Sequence, residues 1–223
     1  MAKKGRAIFL VYTDLVDPKD DEEFNAWYNT QHLPELLALP GFLDAARYVA
    51  TKGGPRYLAA YELESVDALQ RPEFKDRSIG PWEHRMSPRV VGKNLTRIVG
   101  QQIYPDVPEQ TDRGMAPCLQ IGRMSVSDSV DAEWNAWYNG EYIPGYRKVP
   151  GVIYARRFRV FEGEVGYTTV YELEHEQVPE SAEWQYQRAS SSPNTPRMSE
   201  AMTMAAGSPG VYRCIYPHPA MKP

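Results

Sequence analysis

Four side chains able to bond or move protons fall on one helical face near the N-terminus. Asn25, Tyr28, Asn29 and His32 recur at i, i+3, i+4 and i+7 within a helix predicted over 20–38. His32 is the one member that exchanges a proton near neutral pH. It stands just before Leu33-Pro34, where the helix is disturbed and a side chain can face a cavity. Beside Tyr28 it can equally be a packed, hydrogen-bonded core residue. A second cluster, Trp82-Glu83-His84-Arg85, sits in an irregular segment, 76–90, of the kind that lines pockets. His84 either acts there or is simply solvated. Arg47 and Glu62 fall on neighbouring strands of a predicted hairpin, with Arg47 opposite about Ala60 and Glu62 diagonal to it on the same face. Tyr57, Tyr61, Phe42 and Tyr48 are expected on the other face, as core. The Arg47–Glu62 pair reads as a partly buried salt bridge, or Arg47 as the anchor for a substrate carboxylate. The catalytic candidates are therefore His32, Tyr28 and His84, and the substrate-binding candidates Asn29, Trp82, Arg47 and Glu62. Such groups suit proton transfer, where one acid–base residue contributes ~10²–10⁴-fold.

Other chemistries lack their signals. The chain has no Gly-rich phosphate loop, no nucleophile elbow, no dinucleotide fingerprint and no metal-ligand spacing. No cofactor and no metal are expected. The net charge of −4 comes with no basic stripe, which argues against nucleic acid. No apolar run approaches the ~18 residues of a membrane span. The run Ala7–Tyr12 is too short for a signal-peptide core, so a cytoplasmic protein is expected, with Cys118 and Cys214 reduced on neighbouring strands. The 15 Tyr, 6 Phe and 5 Trp build either an aromatic core or an apolar pocket with polar tips. His175 and His218 are assigned no role.

The elements that hold these residues are written twice. Glu-Phe-Asn-Ala-Trp-Tyr-Asn at 23–29 returns as Glu-Trp-Asn-Ala-Trp-Tyr-Asn at 133–139. The same shift carries Pro34 to Pro144, Pro40-Gly41 to Pro150-Gly151, Arg47 to Arg157, and Tyr61–Glu64 to Tyr171–Glu174. This is an internal duplication, with halves at 1–110 and 111–223 and a linker about 105–117. Each half parses as strand, helix, two strands, helix, strand. The fold class is α+β: two tandem ferredoxin-like βαββαβ repeats, whose antiparallel sheets pack into a barrel within one chain. Asn25/Asn135 and Asn29/Asn139 are kept in both copies and most simply serve architecture. His32 is replaced by Tyr142, so a site built on it would be single.

Trp27-Tyr28-Asn29-x-x-His32-Leu33-Pro34, followed by Leu39-Pro40-Gly41-Phe42 at the start of a strand, resembles the EthD-type branch of the dimeric α+β barrel superfamily. The resemblance is good across 20–64 and fair across 130–174. It implies an aromatic-rich helix whose histidine maps onto His32. It also implies a place in a superfamily of cofactor-free monooxygenases, cyclases, isomerases, lyase-like pigment enzymes and haem peroxidases. The expected function is a cofactor-independent lyase or isomerase moving protons on a hydrophobic, aromatic or polyketide-like small molecule. The alternatives are a non-catalytic small-molecule binding protein or a haem-binding member. Whether the whole chain also forms a homodimer is open.

Overall fold

The computed structural model describes residues 3–190 and 192–217; His218 lies outside them. Strand β1 (Ala7–Leu15) leads into helix α1 (Asp21–Trp27), which passes through a π-helical turn (Tyr28–His32) and continues as α2 (Leu33–Leu37). Strands β2 (Phe42–Lys52) and β3 (Tyr57–Leu63) form a hairpin. Short helices α3 (Pro72–Lys75), α4 (Pro81–Met86) and α5 (Pro88–Val91) then lead to β4 (Gly92–Tyr104). The second half runs β5 (Cys118–Val126), α6 (Asp131–Trp137), a π turn (Tyr138–Tyr142) and α7 (Ile143–Tyr146). It continues through β6 (Val152–Glu162), β7 (Tyr167–Leu173), α8 (Ala182–Ser190), α9 (Thr195–Glu200), β8 (Met202–Met204) and β9 (Gly210–Tyr216). The segment 76–90, read as irregular, is largely helical. Pro81 and Pro88 each open a short helix at a position where a missing N–H costs nothing.

Eight strands close into an antiparallel barrel. The first half contributes the order β4-β1-β3-β2 and the second β9-β5-β7-β6, joined through β2–β9 and β4–β6. Closure removes the sheet edges that would otherwise invite association. Strand β8 extends the pairing along β5, at Met124–Val126. The sheet is buried on both faces, which is why β1 reads as an unbroken apolar run. Ile8, Leu10, Tyr12, Leu58, Ala60 and Ile98 fill the barrel interior, whereas Ala7, Phe9 and Val11 meet the helices outside. Outer helices cover each half separately. Gly41 and Gly151, with φ of 89° and 85°, end the two helices in a conformation that glycine adopts without strain. Cys118 and Cys214 stand on adjacent strands, and both are thiols. Among the described residues no helix is long and apolar enough to cross a membrane.

The register corrects one expected pair. Arg47 stands opposite Ala59, one residue from the expected Ala60, and a bulge between Phe42 and Asp44 brings Phe42 onto the same face. A slip of one residue turns a strand's side chains over, so Arg47 faces the helices with Phe42, Tyr57 and Tyr61, while Tyr48 points into the barrel. Glu62 points inward and meets charges from both halves. Lys4 Nζ lies 3.4 Å from Glu62 and 2.8 Å from Glu172. Arg156 donates to Glu62 through both terminal nitrogens and lies 3.4 Å from Glu172. All four side chains are buried, so two positive and two negative charges neutralise one another inside the barrel. Burial alone would raise the Glu62 pKa, but Arg156 and Lys4 hold it below the ordinary carboxylate value.

Candidate functional site

The two helix faces are shaped by proline. Pro34 and Pro144 lack the N–H that would continue α-helical bonding, and the chain widens by one residue ahead of them. Leu33 N–H donates to Tyr28 O and Ile143 N–H to Tyr138 O, each five residues back. The wider turn aligns side chains four apart. Trp134, Tyr138, Tyr142 and Tyr146 form a ladder with successive ring centres 4.9 Å apart. In the first half Phe24, Tyr28 and His32 meet edge-on with ring centres 5.0 Å apart at each step.

Around His32 the first half packs aromatic rings. Its ring stacks on Trp27 at 4.5 Å and meets Tyr28 edge-on. Burial, then the charges of Arg77 and Arg47, lower its pKa to about 3, so it is neutral at pH 7. Nδ1 has no hydrogen-bond partner and lies 3.9 Å from Glu83 Oε2. Glu83, which the sequence reading passed over, pairs with Arg77. Burial raises its pKa against that arginine. His84, one residue further on, is exposed. Trp82 donates from Nε1 to Glu23 Oε1 at 2.9 Å. Arg47 Nη1 donates to Asn25 Oδ1 at 2.6 Å and Asn29 Oδ1 at 3.3 Å, with Phe24, Tyr28 and Tyr57 rings around the guanidinium. Thus Tyr28, Asn29, His32 and Arg47 come together, Trp82 packs against the cluster that holds Tyr28, His84 is exposed, and Glu62 lies on the other side of the sheet.

The second half holds a cavity along this face. About 620 Å³ in volume, it lies between the outer face of β5 and β7 and the π turn at Tyr138–Tyr142 with helices α7, α8 and α9. Tyr138, Tyr142, Tyr146, Tyr171 and Trp184 form its aromatic wall. Gln120, Gly122 and Met124 of β5 line its floor, and Lys52, Gln185 and Arg188 contribute polar groups. None of the seven residues singled out from sequence lines it. Tyr142 and Tyr146 hydroxyls are 3.2 Å apart, and Tyr146 packs on Trp184 at 4.4 Å. Burial raises the Tyr142 pKa to about 12 and lifts Tyr146 and Tyr171 higher still. These phenols keep their protons at neutral pH and can donate hydrogen bonds. The sequence signal for the wall was the four-residue spacing of 134, 138, 142 and 146, continued by an aromatic where the first copy has Leu36.

Known structures share this architecture at low identity. An anthrone oxidase-like protein superposes with TM-score 0.55 at 10% identity, covering 97% of this chain and 94% of its own. A provisionally assigned monooxygenase from Fusobacterium nucleatum subsp. nucleatum gives 0.52 at 10%, covering 94% and 93%. Chlorite dismutase from Candidatus Nitrospira defluvii, in complex with imidazole, gives 0.60 at 11%, covering 94% and 91%. No protein-family model and no curated protein sequence matches the chain. The shared fold is that of the dimeric α+β barrels, closed here by strands of a single chain.

Proposed function

We propose that this protein is a small-molecule enzyme whose site is the tyrosine-walled cavity of the second half. Its substrate is a flat, hydrophobic aromatic ketone, enol or phenol. On this reading the chain is two ferredoxin-like units, 1–110 and 111–223, of which the second does the chemistry. The observation that carries it is the Tyr142–Tyr146 hydroxyl pair in an aromatic cavity that no Asp or Glu among the described residues lines. Protonated phenols in such a place donate to an oxygen on which negative charge develops. Water or hydroxide removes a carbon-bound proton, the carbonyl becomes an enolate held by Tyr146 and Tyr142, and reprotonation completes an isomerisation. The name of the anthrone oxidase-like neighbour suggests anthrone as a probe.

Anthrone incubated with the protein in deuterated buffer should exchange its methylene hydrogens faster than without it. Tyr146→Phe should lower that acceleration by ~10²-fold, the typical loss for one oxyanion donor. Saturable binding with anthrone returned undeuterated would instead support a binding protein, a reading favoured by a lining with no histidine or carboxylate base among the described residues.

A second reading places proton transfer at His32, on the strength of its unpartnered Nδ1 near Glu83. His32→Ala should then abolish exchange where Tyr146→Phe does not. Among the described residues the cavity offers an iron tyrosine hydroxyls and methionine thioethers but no histidine or cysteine, which weighs against the haem alternative.

A further inference from the structure

Behind the cavity wall lies a charge without a counter-charge. The Arg157 guanidinium is fully buried. It donates to Asn139 Oδ1 at 2.6 Å and Asn135 Oδ1 at 2.9 Å, two neutral carbonyls, and its Nε has no acceptor. Its central carbon sits 4.1 Å from the Tyr138 ring centre, 4.6 Å from Trp134 and 5.2 Å from Tyr167. Asp131 on α6 is engaged elsewhere, by the Tyr167 hydroxyl at 2.6 Å, Asn135 Nδ2 at 3.2 Å and Arg159 at 3.5 Å. Burial lowers the Arg157 pKa to about 10 while Tyr138, Tyr171, Tyr167 and Asp131 pull it back up. The group is therefore cationic at neutral pH.

Tyr138 has Arg157 packed on its ring and is itself part of the cavity wall, which Arg157 does not reach. A charge enclosed in protein is poorly screened, so its field extends past one aromatic ring. The cations that line the cavity directly, Lys52 and Arg188, are exposed and screened by water and salt. The remaining ionisable groups of the wall, Tyr142, Tyr146 and Tyr171, are neutral.

We infer that Arg157 is a positioning residue that sets the cavity's charge preference: its ligand is an acidic phenol or enol, held as the anion. This rests on the cavity being the site. The first half carries the matched control. Arg47 has the same amide partners and aromatic cage, but its charge falls on His32, whose protonation it opposes, and not on the cavity.

The test is an absorption titration of alizarin, a hydroxylated tricyclic dye that changes colour on ionisation, bound to the intact protein and to R157M, R157K and R47M. Bound to the intact protein, alizarin should ionise ~1 pH unit below the dye in buffer, about tenfold in acid constant. R157M should abolish the shift, R157K should keep most of it, and R47M should keep it while losing thermal stability comparably to R157M. If bound alizarin ionises at or above the pH of the free dye, the inference is overturned, whether or not R157M folds. Equal shifts in the intact protein and R157M overturn it alone. No saturable binding to the folded protein overturns the cavity reading and this inference with it.

Discussion

Lowering the pH from 7 to 4 should remove about 3 kcal/mol of stability through His32 alone. In the unfolded chain a histidine takes up its proton near pH 6.5, whereas burial against Trp27, Arg77 and Arg47 holds this one at about 3. Between those values the unfolded chain binds more protons than the folded one, so stability is lost as pH falls through the window. With each pH unit worth about 1.4 kcal/mol, a window entered at 6.5 and followed to pH 4 gives ~3 kcal/mol. Glu83 acts in the opposite sense: its raised pKa makes the folded chain hold a proton longer, which stabilises slightly as pH falls. The assay is urea unfolding at pH 7, 5 and 4 for the native protein and for His32→Phe, which keeps the ring packing and cannot titrate. The two proteins should lose different amounts, and the difference isolates His32. A His32 imidazole that titrates near 6.5 by NMR, or identical pH profiles for the two proteins, would refute the reasoning.

Arg156→Met should destabilise by about 3–5 kcal/mol, because it leaves Glu62 and Glu172 sharing only Lys4 inside the barrel; chemical denaturation measures it. Gly41→Ala should cost at least ~1 kcal/mol, since φ is +89° and the added methyl would lie 2.8 Å from the Ala68 Cβ. A melting temperature equal to that of the native protein would contradict this. Cys118 and Cys214 should react slowly with a thiol reagent in the native state and quickly in denaturant, where two thiols should be counted.

Strand order was legible because apolar runs such as Ala7–Tyr12 mark strands and the duplication repeats them. The face that Arg47 presents was not: it follows from a one-residue difference in hairpin register, Arg47 against Ala59, and the bulge that brings Phe42 to the same face has no signature in Phe42-Leu43-Asp44. The grouping of Asn25, Tyr28, Asn29 and His32 followed from helical spacing, and the structure adds Arg47 to it. The cavity was hidden for a different reason. It depends on how α8 and α9 stand off from the sheet, a tertiary matter, and on residues such as Gln120, Tyr171 and Trp184 that lie far apart in sequence. The histidine directs a reading of the sequence to the first half, while the four-residue spacing of the Trp134–Tyr146 ladder marks the wall of the cavity in the second.

The closure of the barrel by strands of one chain bears on how such a site can change. In a pair of identical subunits every substitution is made twice, so a residue that opens one cavity opens its mate, and the cost in packing is doubled. Here each substitution is made once. Tyr142 can face a cavity while its counterpart His32 stays packed, and Arg156 can supply the barrel's second cation where the first copy has Ala46. The seams β2–β9 and β4–β6 hold both versions in one body. One copy is free to keep the scaffold rigid while the other accumulates the loosely packed, functionally exposed residues that a symmetric assembly tolerates poorly.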